Sequence, residues 1–144
     1  MVKRKKPLEK FSKRWYDKEC MKLAKQVVKI RDLDTCQKCW KKWPWLHCSH
    51  VIADWKDTRL SVDTWNMKLL CYRCHFKRWH LQPFEASEWF KNEFPERYEY
   101  WLEKQKEPQT WSIELERWET RYAELKEELQ NMKDVMASYW LYGL

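Results

Sequence analysis

Two Cys-x-x-Cys pairs, Cys36–Cys39 and Cys71–Cys74, constrain this chain of 144 residues more than any other feature. A short loop inside each pair and a longer one between them is what a tetrahedral thiolate cage around a structural Zn2+ needs. The spacing predicts one zinc ion bound by Cys36, Cys39, Cys71 and Cys74, with no disulfide among them. Residues 40–70 separate the pairs, more than a minimal zinc ribbon requires. That insertion and its edge carry His50, Asn66 and His75, the groups able to do chemistry. The core around the cage is small, so the metal would contribute folding free energy outright, roughly 10–16 kcal/mol apparent. Cys20 and Cys48 stand alone, which suits a reducing compartment. On a helix stripe and a strand, they are expected to be structural rather than nucleophilic.

The net charge of +7 is unevenly spread: +6 over residues 1–14, +7 over 15–83 and −6 over 84–144. A polyanion should therefore meet the first part, where phosphate contacts release counterions. No apolar run approaches the roughly 20 residues of a membrane-spanning helix, and no secretory signal pattern opens the chain, so a cytoplasmic location is expected. Twelve tryptophans accompany a single glycine. Most of these rings are expected as core or interface anchors. Trp40, Trp43 and Trp45 follow the first knuckle and are expected to cover the zinc site; none of them is assigned to base stacking.

The chain divides into a basic flexible arm (1–14), a zinc-bound core (15–83) and a helical extension (84–144). Tyr16, Cys20, Leu23, Val27 and Ile30 recur at steps of four and three, one face of an amphipathic helix. Pro44 breaks the chain before a short strand at 45–52 carrying His47 and His50. Residues 53–65 read as a polar loop. Leu69 and Leu70 suit a second strand, and residues 71–81 suit a helix stopped by Pro83. Residues 84–107 are expected to be helical, with Pro95 starting a second piece. Thr110 is the expected N-cap of a long helix, and Gly143 sits past its end.

The run Asn66-Met67-Lys68-Leu69-Leu70-Cys71-Tyr72-Arg73-Cys74-His75, preceded by Cys48-Ser49-His50-Val51-Ile52, resembles the HNH (ββα-metal) endonucleases. The segment His75-Phe76-Lys77-Arg78-Trp79-His80-Leu81-Gln82-Pro83 and the later Glu88-Trp89-Phe90 and Phe94-Pro95-Glu96-Arg97-Tyr98 look like the small phage-encoded members. The resemblance covers residues 15 to about 105. It implies an α+β fold: a zinc-stapled ββα-metal core with flanking helices, to which the chain adds a long C-terminal amphipathic helix. It also implies a metal-dependent DNA endonuclease, working in phage DNA processing or packaging inside a bacterial host cell.

Hydrolysis of a phosphodiester needs a base for the attacking water and stabilisation of the leaving 3′ oxygen; an imidazole and a divalent cation suit those tasks. By resemblance, His50 matches the general base and His75 the helix residue that binds the catalytic Mg2+, Mn2+ or other divalent cation. Asn66 matches the residue that braces the loop and orients the base. One departure concerns the second metal ligand. The family commonly places Asp or His before the base, and here Ser49 stands, a poorer ligand for a hard cation. Asp54 and His47 are the substitutes considered. His80, five residues beyond His75, falls off its α-helical face. Arg59, Arg73, Lys77 and Arg78 are placed to contact phosphate. The alternatives are a non-cleaving zinc-stabilised DNA-binding module, or an assembly subunit of a packaging machine beside a phage terminase.

In the long helix, Leu115, Trp118, Tyr122, Leu125, Leu129, Met132, Met136 and Tyr139 alternate steps of three and four, a heptad seam. A parallel dimer would set Glu114 against Glu119 and Arg121 against Lys126. Antiparallel packing is therefore expected, against the aromatic helix at 84–105 as a hairpin, with an antiparallel dimer or a partner protein as alternatives.

Overall fold

The computed structural model describes residues 7–42, 45–53 and 57–142. The basic arm up to residue 6, Trp43, Pro44, Asp54 and Gly143 lie outside them.

Helix α1 spans Lys13–Arg31, and the Ser12 hydroxyl caps it by accepting the Trp15 N–H at 3.2 Å. Its stripe of Tyr16, Cys20, Ala24, Val27 and Val28 is buried. Asp32 closes the helix and carries the chain forward. Its carboxylate pairs with Arg31 and accepts the Leu69 N–H at 2.9 Å, tying the end of α1 to a strand. Leu33 and Asp34 then take left-handed φ values of 53° and 48°. The Thr35 hydroxyl donates to the Leu33 carbonyl at 2.8 Å in this turn, and aspartate is among the residues that enter the left-handed region most readily.

Strand β1 (His47–His50) pairs antiparallel with β2 (Met67–Leu70), His47 opposite Leu70 and His50 opposite Met67. Residues 57–66 between them are more ordered than a polar loop. They contain a short helix α2, Thr58–Ser61, and a 3₁₀ turn, Thr64–Asn66. Asp57 and Asp63 start them by accepting the N–H of Arg59 and Trp65 at 3.0 and 2.9 Å.

Alternation along the strands separates two environments. Met67 and Leu69 join Tyr16, Cys20, Ala24 and Val28 in one apolar cluster. Leu70 packs on the other side with Cys36, Cys74, Trp79 and Trp89. Burial holds the Cys20 and Cys48 thiols up at about 11, so neither is a nucleophile near neutral pH.

The element after β2 corrects the expected α-helix. Residues Arg73–His80 form a π-helix, closed by the Leu81 N–H donating to the Phe76 carbonyl at 3.3 Å. Helix α3 (Pro83–Glu93) and helix α4 (Pro95–Lys106) follow, each with proline in its first turn. Helix α4 clamps the start of β2: Arg97 donates to the Trp65 and Met67 carbonyls, and Tyr100 to the Asp63 carboxylate.

Helix α5, Leu115–Tyr142, begins later than a Thr110 cap would set. Residues 108–111 instead dock on α2, with the Thr110 and Trp111 carbonyls accepting from Thr58. The hairpin with 84–105 is not formed. Ile113, Trp118 and Leu125 close the α1 cluster, and the two helices run in the same direction. Lys13 pairs with Glu114 at their starts, while Arg31 and Glu128 both bond Thr64 farther along. The aromatic helix is engaged elsewhere, as Trp89, Phe90 and Phe94 stack among themselves and against Trp79. The result is a mostly helical α+β fold: a two-stranded hairpin, a four-cysteine cluster and a long C-terminal helix on α1. Among the described residues no helix is long and apolar enough to cross a membrane.

Candidate functional site

The sulfurs of Cys36, Cys39, Cys71 and Cys74 all lie within 4.8 Å of one another, with Cys39 and Cys71 at 3.7 Å. A tetrahedral zinc with bonds near 2.3 Å spaces its sulfurs about 3.8 Å apart, so the cluster fits a structural Zn2+. The protonation pattern fits as well. Burial raises the Cys36 thiol, but backbone N–H groups of Cys39, Cys71 and Lys38 outweigh it and bring the group down to about 7. Burial and the neighbouring thiols hold Cys74 up. Four thiolates this close repel, and a dication removes that repulsion while releasing protons. The knuckle bends at Trp40, whose φ is 62°. Trp40 is 64% exposed and Trp45 78%, so these two do not bury themselves over the cage. Trp45 flanks it instead, lining a groove with Cys39, Cys71 and Cys74.

Beyond the cage the chain opens a cleft of about 640 Å³, lined by Ser49, His50, His75, Trp79, His80 and Trp101. His50, at the end of β1, has its Nε2 2.8 Å from the Ser61 carbonyl. A carbonyl oxygen only accepts, so Nε2 carries a proton, and in the neutral ring Nδ1 is the nitrogen with the lone pair. Asn66 fixes the segment that supplies this carbonyl. Its buried amide donates to the Ile52 and Leu60 carbonyls, each at 2.9 Å, and accepts the Ile52 N–H at 2.7 Å.

His75 follows a cage cysteine, and its ring stands between two others. Its Nδ1 is 3.0 Å from Nδ1 of His47, and its Nε2 is 3.0 Å from Nε2 of His80. Burial, then the charges of His80 and His47, push the His75 imidazole down to about 4, so it is neutral near pH 7. Each contact can be a hydrogen bond with one ring nitrogen donating and the other accepting; imidazole nitrogens 3.0 Å apart are also spaced like adjacent ligands of one ion with bonds of about 2.1 Å.

His80 reaches this position because of the π-helix. An α-helix turns 3.6 residues per turn and parts residues five apart; i→i+5 hydrogen bonding widens the turn and brings them together. The expectation that His80 lies off the face of His75 is therefore overturned.

Ser49 is buried and its hydroxyl has no hydrogen-bond partner. Lys68, opposite it in the ladder, is fully buried with its Nζ 3.2 Å from the Trp79 ring centroid. Burial first, and Arg97 second, push that amine well below the ordinary value of 10.5. Among the described residues, Ser49 Oγ, Lys68 Nζ and Trp101 Nε1 are the buried side-chain nitrogen and oxygen atoms without a hydrogen-bond partner, and Ser49 and Trp101 line the cleft. Sequence reading passed over Lys68 and Trp101. A lysine at the centre of an apolar strand was the available signal.

The four cations expected at phosphate divide. Arg59 donates to Asp57, Glu107 and the Pro108 carbonyl, engaging four of its five N–H groups. Arg73, Lys77 and Arg78 are exposed on the π-helix. No family model, curated protein or solved structure matches the chain.

Proposed function

We propose that the chain is a metal-dependent DNA endonuclease of the HNH (ββα-metal) type, with His50 as general base and a divalent cation held by His75 and His80. The supporting observation is the grouping at one cleft, which His50, His75 and His80 all line, with His50 Nε2 on the Ser61 carbonyl and the His75 and His80 rings 3.0 Å apart. His50 would take the proton of the attacking water, and Asn66 would keep the Ser61 carbonyl in register. A bound cation would supply charge stabilisation at the leaving 3′ oxygen. Two imidazoles and a neutral Ser49 favour a borderline ion such as Ni2+ over Mg2+. Work on phage DNA in a bacterial host, in processing or packaging, belongs to the same reading.

Nicking of supercoiled plasmid in Mg2+, Mn2+, Ni2+ or EDTA tests it. His50→Ala should fold, bind DNA and cut ~10²–10⁴-fold more slowly. Nicking at the wild-type rate would rule out the assigned base. His75→Ala should lose metal affinity in the cleft and keep its zinc; loss of the stoichiometric zinc would show that the two sites are one. The buried, unpaired Ser49 hydroxyl favours a second reading, a zinc-stabilised DNA-binding module that does not cut. Under that reading no added metal supports nicking.

A further inference from the structure

Beside the cysteine cage runs an apolar groove of about 430 Å³. Trp45 and Tyr72 form its aromatic wall, and they are 78% and 62% exposed. Lys41, Arg73 and Arg78 stand on its rim, and no acidic residue is among the described residues lining it. The aromatic surface continues beyond the groove. The Tyr72 ring lies 4.8 Å from that of Phe76, also exposed, and Phe76 lies 4.9 Å from His75 and 5.8 Å from His80. A row of rings thus leads from the groove to the paired imidazoles.

Large rings left in water mark a surface meant to be covered. Another such patch, at the end of α5, exposes Tyr139, Trp140 and Leu141, but residues 135–142 there carry no charge and do not say what would cover them. The groove does. Cations around open π-faces suit bases strung on a phosphodiester backbone. In a duplex those faces are stacked on one another, so only an unpaired strand can offer them.

We propose that Trp45, Tyr72 and Phe76, rimmed by Lys41, Arg73 and Arg78, form a stacking ledge for single-stranded DNA that leads its backbone to His75 and His80. The cleft's substrate is then an unpaired strand or a duplex with a single-stranded segment. The link to cleavage rests on the nuclease reading; the ledge itself does not.

Fluorescence anisotropy tests it, using the full zinc-loaded chain without added divalent metal, on labelled oligothymidylate and on a duplex of equal length. The single strand should bind more tightly. Tyr72→Ala and Trp45→Ala should each weaken single-strand binding about 5- to 100-fold, leave duplex binding within about twofold, and keep zinc content and circular dichroism unchanged, while Tyr72→Phe retains binding. Arg73→Gln with Arg78→Gln should flatten the salt dependence by about 0.7 per charge removed. Equal affinity for both DNAs, or single-strand binding indifferent to Tyr72 and Trp45, overturns the ledge. Cleavage is scored separately on each DNA. Ring-dependent binding with no cutting supports the ledge and overturns the nuclease; cutting that ignores the rings overturns the ledge and spares the nuclease.

Discussion

Toward α1, the β1–β2 hairpin presents Met67 and Leu69 to the apolar residues Cys20, Ala24 and Val28. Toward the π-helix, the alternate residues are Ser49, Lys68 and Leu70, with His47 against His75. The first side is dry and held by the removal of apolar area from water. The second holds a hydroxyl and an amine with no hydrogen-bond partner among the described residues, a crowd of imidazoles and four converging thiols. Burial alone does not stabilise such a set, since orphaned polar groups oppose folding. One strand therefore lies between an apolar layer and a layer whose four thiols fit a structural metal.

That contrast is open to direct attack. The largest effect should come from Cys36→Ser, which takes a ligand from the cage and with it most of the ~10–16 kcal/mol apparent stabilisation of a structural zinc. Thermal melts with elemental analysis should find the protein unfolded or zinc-free. A zinc-free variant melting at the wild-type temperature would show that the π-helix side stands without metal.

Two neighbours in β2 should then respond with opposite signs. Leu69→Ala, on the dry side, should destabilise by about 2–5 kcal/mol in denaturant titration. Lys68→Met, on the other side, should stabilise by about 1–3 kcal/mol by removing a buried amine that faces aromatic rings and makes no hydrogen bond. The pH dependence follows from proton counts. The unfolded lysine stays protonated up to about its ordinary 10.5 while the buried amine releases its proton well below that, so between the two values the unfolded state binds more protons and wild-type stability rises with pH toward 10.5. Lys68→Met should lose this rise. An unchanged slope would mean that the amine is charged in the fold.

The smallest change in stability should come from His80→Ala, within about 0.5 kcal/mol because the ring is exposed. Its mark should appear in calorimetric titration with Ni2+, as affinity at least about tenfold weaker with the zinc retained. Unaltered Ni2+ binding would remove His80 from the pair.

Much of the fold was legible wherever local chemistry decides. The paired Cys-x-x-Cys spacing located the cluster, the stripe of Tyr16, Cys20 and Val27 located α1, and Pro95 marked the start of α4. What could not be read depended on choices between equivalent local options. A heptad seam says that one face of α5 is apolar but not which helix will cover it, and α1 offered a better-matched surface than 84–105. The exclusion of His80 assumed a period of 3.6, and a wider turn reversed it. Arg59 looked available for phosphate because Glu107 and Pro108 are distant in sequence, yet both lie within reach of its guanidinium. For Asn66 the geometry of the loop brace is visible in the three bonds of its amide, whereas the chemistry of the cleft awaits the nicking assay.

The widened turn between His75 and His80 also makes a statement about chain length. A π-turn holds one residue more per hydrogen-bonded ring than an α-turn. Deleting Lys77 would bring the two histidines to a separation of four, at which an ordinary α-helix again places both rings on one face. The surplus residue and the surplus width cancel. At this point in the gene, losing a whole codon should leave both histidines on one face, a tolerance that neither the cysteine knuckles nor the strands share.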